Sequence, residues 1–308
     1  REKPEVADKY LLVEAERANF PVSLMARLLH VSRSGFYCWL RRSKPEDQLG
    51  ELKADIEQQW LDSDKVFGAR SIMAKLPKDK KPITLYRVRK CMRELGISGC
   101  QPRSSKRTTI ADPDAVKRPD LIRRDFDAAV PTTKLVGDIT YLKTGQGWLY
   151  LAVVIDLCTR MVVGWAMADH MRASLIVSAL SMAHTRGYVA GNAIFHSDLG
   201  SQYTSHEFAR FAADIDVRLS CGRKGTCYDN AVAESWFSSL KNERYHRYKY
   251  STRSEAKASV VQYIEGFYNR ARPHSSIDNQ IPAEKMESFF GRMDAISSNE
   301  ESMKLLSA

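Results

Sequence analysis

"KLVGDITYLKTGQGWLYLAVVIDLCTRMVVGWAMA", residues 134–168, holds the pattern on which the fold turns. Residues 134–144 alternate as a half-buried strand does, and Gly145-Gln146-Gly147 supplies a turn. "WLYLAVVIDL" and "RMVVGWAMA" follow as two apolar strands joined tightly at Cys158-Thr159. Downstream, "RASLIVSALSMAHTRG" is predicted as a helix and "NAIFHSD" as a fourth strand. "SHEFARFAADI" reads as a helix and "VRLS" as a short strand. Helices are expected in "YDNAVAESWFSSLKNERY" and, as one long final element, in "RSEAKASVVQYIEGFYNR". Three strands, then helix and strand in alternation, specify a mixed α/β domain.

Three acidic residues stand out by position in this framework. Asp138 lies inside the first strand, Asp198 ends the fourth, and Glu234 lies on a helix with 35 residues separating it from Asp198. A carboxylate on a buried strand is costly unless it is paired, hydrogen-bonded or metal-bound. Neighbouring strands lie about 4.8 Å apart, so Asp138 and Asp198 converge if their strands are adjacent. Two carboxylates that close repel, and a divalent cation resolves the conflict. Hard oxygen ligands suit Mg²⁺ or Mn²⁺, and two such ions about 3.5–4 Å apart can clamp a reacting phosphodiester.

At 100° per residue, Lys241 falls about 20° from Glu234 on its helix, while Val232, Trp236 and Leu240 lie on the opposite face. This suits Glu234 to a metal and Lys241 to a DNA backbone nearby; a surface Glu and Lys on an amphipathic helix is the plain alternative. Asp156 also ends an apolar strand, but in the Asp156–Arg160 hairpin it is expected to cap the turn or pair with Arg160. His196 and Gln202 flank Asp198, where they orient substrate or simply shape the turn. His184, on an apolar-rich helix, is expected to be structural.

The chain of 308 residues carries a net charge of +10 and is 44% hydrophobic, enough for two domains and a third small one. Between residues 65 and 110 stand 13 Lys and Arg against only Asp79 and Glu94, so this window carries +11 and the remainder about −1. A basic block beside a near-neutral body points to a polyanion-binding module. No apolar run approaches the roughly 18–20 residues of a membrane span, and the charged start is no signal peptide. A cytoplasmic, nucleoid-associated protein is expected. The six cysteines lack zinc-knuckle spacing and read as reduced thiols.

The basic block has its own organisation. "PVSLMARLLHVSRSGFYCWLRR", 21–42, reads as helix, turn and helix, with Ser32 or Ser34 as cap of the second. "RSKPEDQ", 42–48, is a linker, and helical periodicity resumes at 51–61 and 68–76. Thr84 caps "LYRVRKCMRELG", which ends on Gly96 and carries Arg87, Arg89, Lys90 and Arg93 around an apolar face. DNA binding is expected of these four and of Arg103, Lys106 and Arg107 in the tether that follows. The predicted organisation is a helix-turn-helix-like segment at 1–45, a second basic one at 46–105, a linker at 106–130, a catalytic core at 131–290 and a tail at 291–308.

"GDITYL", "HSDLGSQYTS" and "YDNAVAESWFSSLKNE" resemble the three acidic blocks of DDE transposases, specifically the integrase-core part encoded by the second reading frame of IS-three family insertion sequences. "YNRARPHSSIDNQIPAE", 268–284, resembles that family's C-terminal block, and the likeness spans about residues 20–290. The resemblance implies an α/β RNase H-like core of the retroviral integrase type behind N-terminal all-α helix-turn-helix modules. It implies Asp138, Asp198 and Glu234 as catalytic ligands of two Mg²⁺ ions, with Mn²⁺ as substitute, and Lys241 as a contact to end DNA. The implied reaction is cleavage at terminal inverted repeats to expose 3′-hydroxyls, then strand transfer into target DNA, with a circular intermediate. Synapsis of two ends implies a dimer at least. Family products usually begin with a further helix-turn-helix and a zipper, and no sustained heptad run appears here. The second-frame portion of a longer product is therefore expected, with the upstream-frame protein among its partners. A DNA-binding regulator with an inactive core, and a nuclease that cuts without joining, stand as the alternatives.

Overall fold

A computed structural model of the chain describes residues 6–43, 46–77, 83–101, 119–123, 125–198, 200–222 and 231–292. Three N-terminal helices, α1 (Val6–Glu16), α2 (Val22–Leu28) and α3 (Arg33–Ser43), gather around Val13, Met25 and Phe36. Ser32 takes the capping position at α3, its Oγ accepting from the Gly35 N–H at 3.2 Å. The sequence pattern contained no sign of α1, whose Leu11 and Leu12 stay exposed.

A second helical unit comprises α4 (Glu46–Asp62), α5 (Ala69–Lys75) and α6 (Leu85–Glu94). Its core is Leu52, Ile56, Phe67, Ile72, Val88 and Met92. Helix α4 starts before the expected linker ends, and α6 follows its sequence signals closely. Thr84 Oγ1 accepts from the Arg87 N–H at 3.4 Å, and Gly96 closes the helix at φ +66°, a conformation that favours glycine.

The third unit is a five-stranded sheet. Strands β1 (Lys134–Thr144), β2 (Gly147–Asp156) and β3 (Val162–Ala168) form the antiparallel meander, and β4 (Ala193–Ser197) and β5 (Val217–Cys221) add in parallel on the far side of β1. The order is β3-β2-β1-β4-β5. Alternation sends successive side chains to opposite faces. One face packs Val136, Leu142, Leu149 and Val153 against α10 (Ala231–Glu243) and α11 (Arg253–Val261). The other packs Leu135, Val154, Val163 and Phe195 against α7 (Ala173–Thr185) and α9 (His206–Asp214), beyond the short α8 (Ser201–Thr204).

One local expectation is corrected and one is resolved. The final long helix changes to a π-helical turn over Gln262–Tyr268. This lies where Asn269 is drawn into the sheet: its Oδ1 accepts from Val162 N at 3.0 Å and its Nδ2 donates to Val162 O at 2.9 Å. Asp156 caps its turn through the Thr159 N–H and hydroxyl, both at 3.1 Å, and also accepts from Thr132 N. Arg160 does not pair with it, reaching Asp127 and the Phe126 carbonyl instead. The second helical unit docks on the back of α10 and its continuation. Cys100 Sγ donates to Asn242 O at 3.2 Å, and Phe67 meets Phe267 at 5.6 Å between centroids. Asp64 takes hydrogen bonds from Tyr248 and Arg247.

Candidate active site

Sheet register brings the first two carboxylates together. The last parallel rung between β1 and β4 sets Val136 opposite His196. Two residues further on, Asp138 continues along β1 and Asp198 lies just past the end of β4, close enough that the Asp198 charge acts on Asp138. Gly137 permits this packing: a Cβ there would lie 2.2 Å from the Phe195 ring. The Phe195 ring is thereby seated directly beneath the strand that carries Asp138.

Each carboxylate is held by backbone. Asp138 Oδ1 accepts from the Ile139 N–H at 2.7 Å, and Asp198 Oδ1 from the Gly200 N–H at 3.0 Å. Burial, and then the Asp198 charge, push Asp138 well above the ordinary carboxylate range; Glu234 adds to the push and Lys241 opposes it. Burial raises Asp198 too, against the Gly200 N–H. The field at Asp138 thus registers the other three residues that the sequence pattern grouped with it.

Helix α10 supplies the other two. Ala233, Trp236, Phe237 and Leu240 bury one face. Glu234 lies exposed in the first turn, and Lys241 is half-buried in the last. The Lys241 Nζ sits 5.5 Å from the centroid of the Tyr141 ring. Burial lowers the Lys241 pKa, with Asp138 acting in the opposite sense.

The donor set is hard oxygen, and crowded carboxylates whose protonation is favoured are the setting in which a divalent cation gains most. Among the described residues, no three His, Cys, Asp or Glu side chains yet stand close enough to hold an ion. The charges of Asp198 and, more weakly, of Glu234 in the first turn of α10 both act on Asp138. Residues 223–230, which lead into that helix, are outside the described residues.

The other expected contacts divide. Gln202 is half-buried on α8, beside Gly200 and hence near Asp198. His196 is corrected: it is 1% exposed, its Nδ1 lies 2.8 Å from Ser220 Oγ and its ring meets Phe126 edge-on. Enclosed by these partners, the ring presents no surface to DNA. His184, on α7, is exposed. On α6, Arg89, Lys90 and Arg93 are exposed and Arg87 half-buried; Lys90 also lies 3.8 Å from Glu94. Arg103, Lys106 and Arg107 fall outside the described residues.

The sequence pattern passed over Tyr203. It is 2% exposed, packed between Phe195 and Phe208, and near enough to Asp138 and Asp198 that their charges, after burial, keep its phenol protonated. Its signal was the position one helical turn after the Asp198-Gly200 bend, which returns a side chain toward the strand end.

Known proteins place this arrangement. Integrase core domain models match residues 128–227 and 215–282, and an HTH-like domain model matches 46–105. The transposase InsF for insertion sequence IS3A of Escherichia coli K12 is 36% identical over 271 residues, 87% of this chain and 94% of the relative. An uncharacterized 31 kDa protein of insertion element IS600 from Shigella sonnei is 33% identical over 86% of this chain and 98% of its own. The catalytic core domain of BIV integrase aligns with 53% of this chain and 99% of its own at 18% identity and a TM-score of 0.41. The chain therefore belongs to the IS-three family of insertion-sequence transposases, with an RNase H-like integrase core preceded by helical HTH-like units.

Proposed function

We propose that this transposase is a DDE recombinase in which Asp138, Asp198 and Glu234 together hold two Mg²⁺ ions, or Mn²⁺ in their place. The observation that supports the reading is the β1–β4 register, whose last pair, Val136 and His196, stands two residues before Asp138 and Asp198, together with the charges of Asp198 and Glu234 felt at Asp138. When bound, divalent ions would neutralise the carboxylates and the phosphate and polarise the attacking oxygen.

The chain's own residues hold and align the DNA. Lys241, half-buried beside Asp138, would neutralise a phosphate next to the scissile one. Gln202 would contact the same strand from α8. Arg87, Arg89, Lys90 and Arg93 would grip the terminal inverted repeat from α6, continued by Arg103, Lys106 and Arg107. Water oxygen attacks phosphorus and the bond to the element's 3′ oxygen breaks, leaving a 3′-hydroxyl. That hydroxyl then attacks a phosphorus of the receiving strand and expels its 3′ oxygen. Bond order at phosphorus is conserved in both steps, so no covalent link to protein is required. The first joining is proposed to link the two ends of the element as a circle, before insertion into target DNA.

The functional units are proposed to be 1–45, 46–105, the 106–130 linker, the 131–290 core and the 291–308 tail. Two ends must be held at once, so the active assembly is a dimer or larger, with the upstream-frame protein as a further partner. The test is an assay with labelled end DNA and a target plasmid. Asp198→Asn and Glu234→Gln are expected to abolish joining while retaining end binding. Joining by either variant at the unsubstituted rate in Mg²⁺ would remove the assignment; cutting without joining by the unsubstituted chain would favour a nuclease.

A further inference from the structure

Strand β4 ends at Ser197, so β1 beyond Asp138 has only β2 beside it. On this overhang two large aromatics face solvent: Tyr141 is 42% exposed and Trp148 45% exposed. Their rings meet edge-to-face at 5.1 Å. Cations surround them. Lys241 lies over the Tyr141 ring, Lys143 is exposed directly across from Trp148, and Arg253 Nε donates to the Trp148 carbonyl at 3.0 Å.

The platform is rigid. The Gly145 N–H donates to Tyr250 O at 2.9 Å, the Arg253 N–H to Gln146 Oε1 at 3.0 Å, and the Tyr245 hydroxyl to Lys143 O. A cross-strand aromatic pair stabilises a hairpin, which accounts for the contact between the rings. It does not account for leaving both broadly exposed inside a ring of cations. Aromatic faces beside phosphate-binding cations are how proteins take up unpaired bases.

We infer that Tyr141 and Trp148 form a base-stacking subsite for an unpaired nucleotide of the DNA strand whose phosphate lies at Asp138 and Asp198. Three residues of strand put Tyr141 about 10 Å along β1 from Asp138 and on the opposite side of the strand, roughly three nucleotides of a stacked strand; Lys241, whose Nζ lies over the Tyr141 ring, bridges the two sides at the strand's free edge. A terminal base at that distance, freed from its partner, would lie on the aromatics while Lys241 and Lys143 hold the flanking phosphates. This rests on the catalytic reading above for which phosphate is near, and its measurement is independent of turnover.

The experiment uses the full chain and a duplex ending in the terminal inverted repeat that flanks its coding sequence. A fluorescent base analogue replaces, one at a time, the bases nearest the scissile bond. Binding is expected to change the emission at about three nucleotides from that bond and little further inside. Tyr141→Ala and Trp148→Ala are each expected to lose the change and weaken end binding about ten-fold. Tyr141→Phe and Trp148→Phe keep both. Should the alanine variants unfold, photocrosslinking of an iodinated pyrimidine at the same position in the unsubstituted chain is expected to map to Tyr141 or Trp148. An emission change that survives both alanine substitutions, or a crosslink mapped elsewhere, overturns the inference. An emission change with the expected pattern in a chain that joins no DNA would remove the catalytic reading alone and leave the stacking site standing.

Discussion

Asp138 concentrates the conflict between stability and function in one side chain. It is buried beside a second carboxylate, and among the described residues the Ile139 backbone N–H and the Lys241 charge from α10 favour its ionised form. Asp138→Asn removes the repulsion while keeping the amide-sized shape. The metal-free variant is expected to melt a few degrees above the unsubstituted chain, by scanning calorimetry without divalent ions. Added Mg²⁺ should then raise the melting temperature of the unsubstituted chain, as any ligand of the native state does, and leave that of the Asn variant unmoved. An equal Mg²⁺ response in both would show that Asp138 holds no ion. The neighbouring Gly137 is a steric requirement: Gly137→Ala drives a methyl into the Phe195 ring. A loss of about 1–3 kcal/mol in denaturant unfolding is expected, as for overpacking in general.

At the scale of elements, the block at 268–284 acts as a clasp. Asn269 supplies both halves of an extra rung to Val162, buried at 1% exposure. Tyr268 donates from its hydroxyl to Arg160 O at 3.1 Å. Asn269→Ala strands a buried donor and acceptor and is expected to cost about 2–4 kcal/mol in urea unfolding. His274 closes the following turn, its Nδ1 lying 2.9 Å from Ser276 Oγ. Burial, then the Arg272 and Arg160 charges, lower its pKa from 6.5 to about 4. Between those values the unfolded chain binds a proton that the folded chain refuses. Stability from this group is therefore complete above pH 6.5 and lost as pH falls toward about 4. His274→Asn is expected to flatten that part of the melting temperature–pH curve. An unchanged slope would place the acid sensitivity elsewhere.

Across the whole molecule, the basic helical unit is mounted on the helix that carries Glu234. Phe267 packs into the core of the sheet domain and into that of the 46–105 unit. The Asp64 hydrogen bonds to Tyr248 and Arg247 lie alongside. Phe267→Ala is expected to weaken this junction and resolve a single calorimetric transition into two, the earlier one from the helical unit. A single transition shifted as a whole would mean that the units are coupled by other contacts. The mounting also relates the Arg89, Lys90 and Arg93 face of α6 to the proposed catalytic pair through the Phe67–Phe267 and Cys100–Asn242 contacts.

The sequence by itself determined the strands, their order along the chain and the α6 caps. Period-two alternation, turn chemistry and capping are local, so β1 could be delimited at Lys134–Thr144 from its residues alone. Asp156 was likewise separable as a turn cap, because a carboxylate three residues before a threonine in a tight hairpin has partners within reach. Tertiary structure decided what depends on parity and neighbours. Whether Asp138 faces Asp198 is a property of the β1–β4 register. That His196, two residues before Asp198, is buried follows from the packing of Phe126 and Ser220 upon it, and no motif around it encodes those distant residues. The aromatic pair on the β1–β2 overhang became a feature only when β4 stopped at Ser197 and α10 brought Lys241 over it. Local patterns name the chemical groups; the sheet's register and the docking of α10 determine which of them meet.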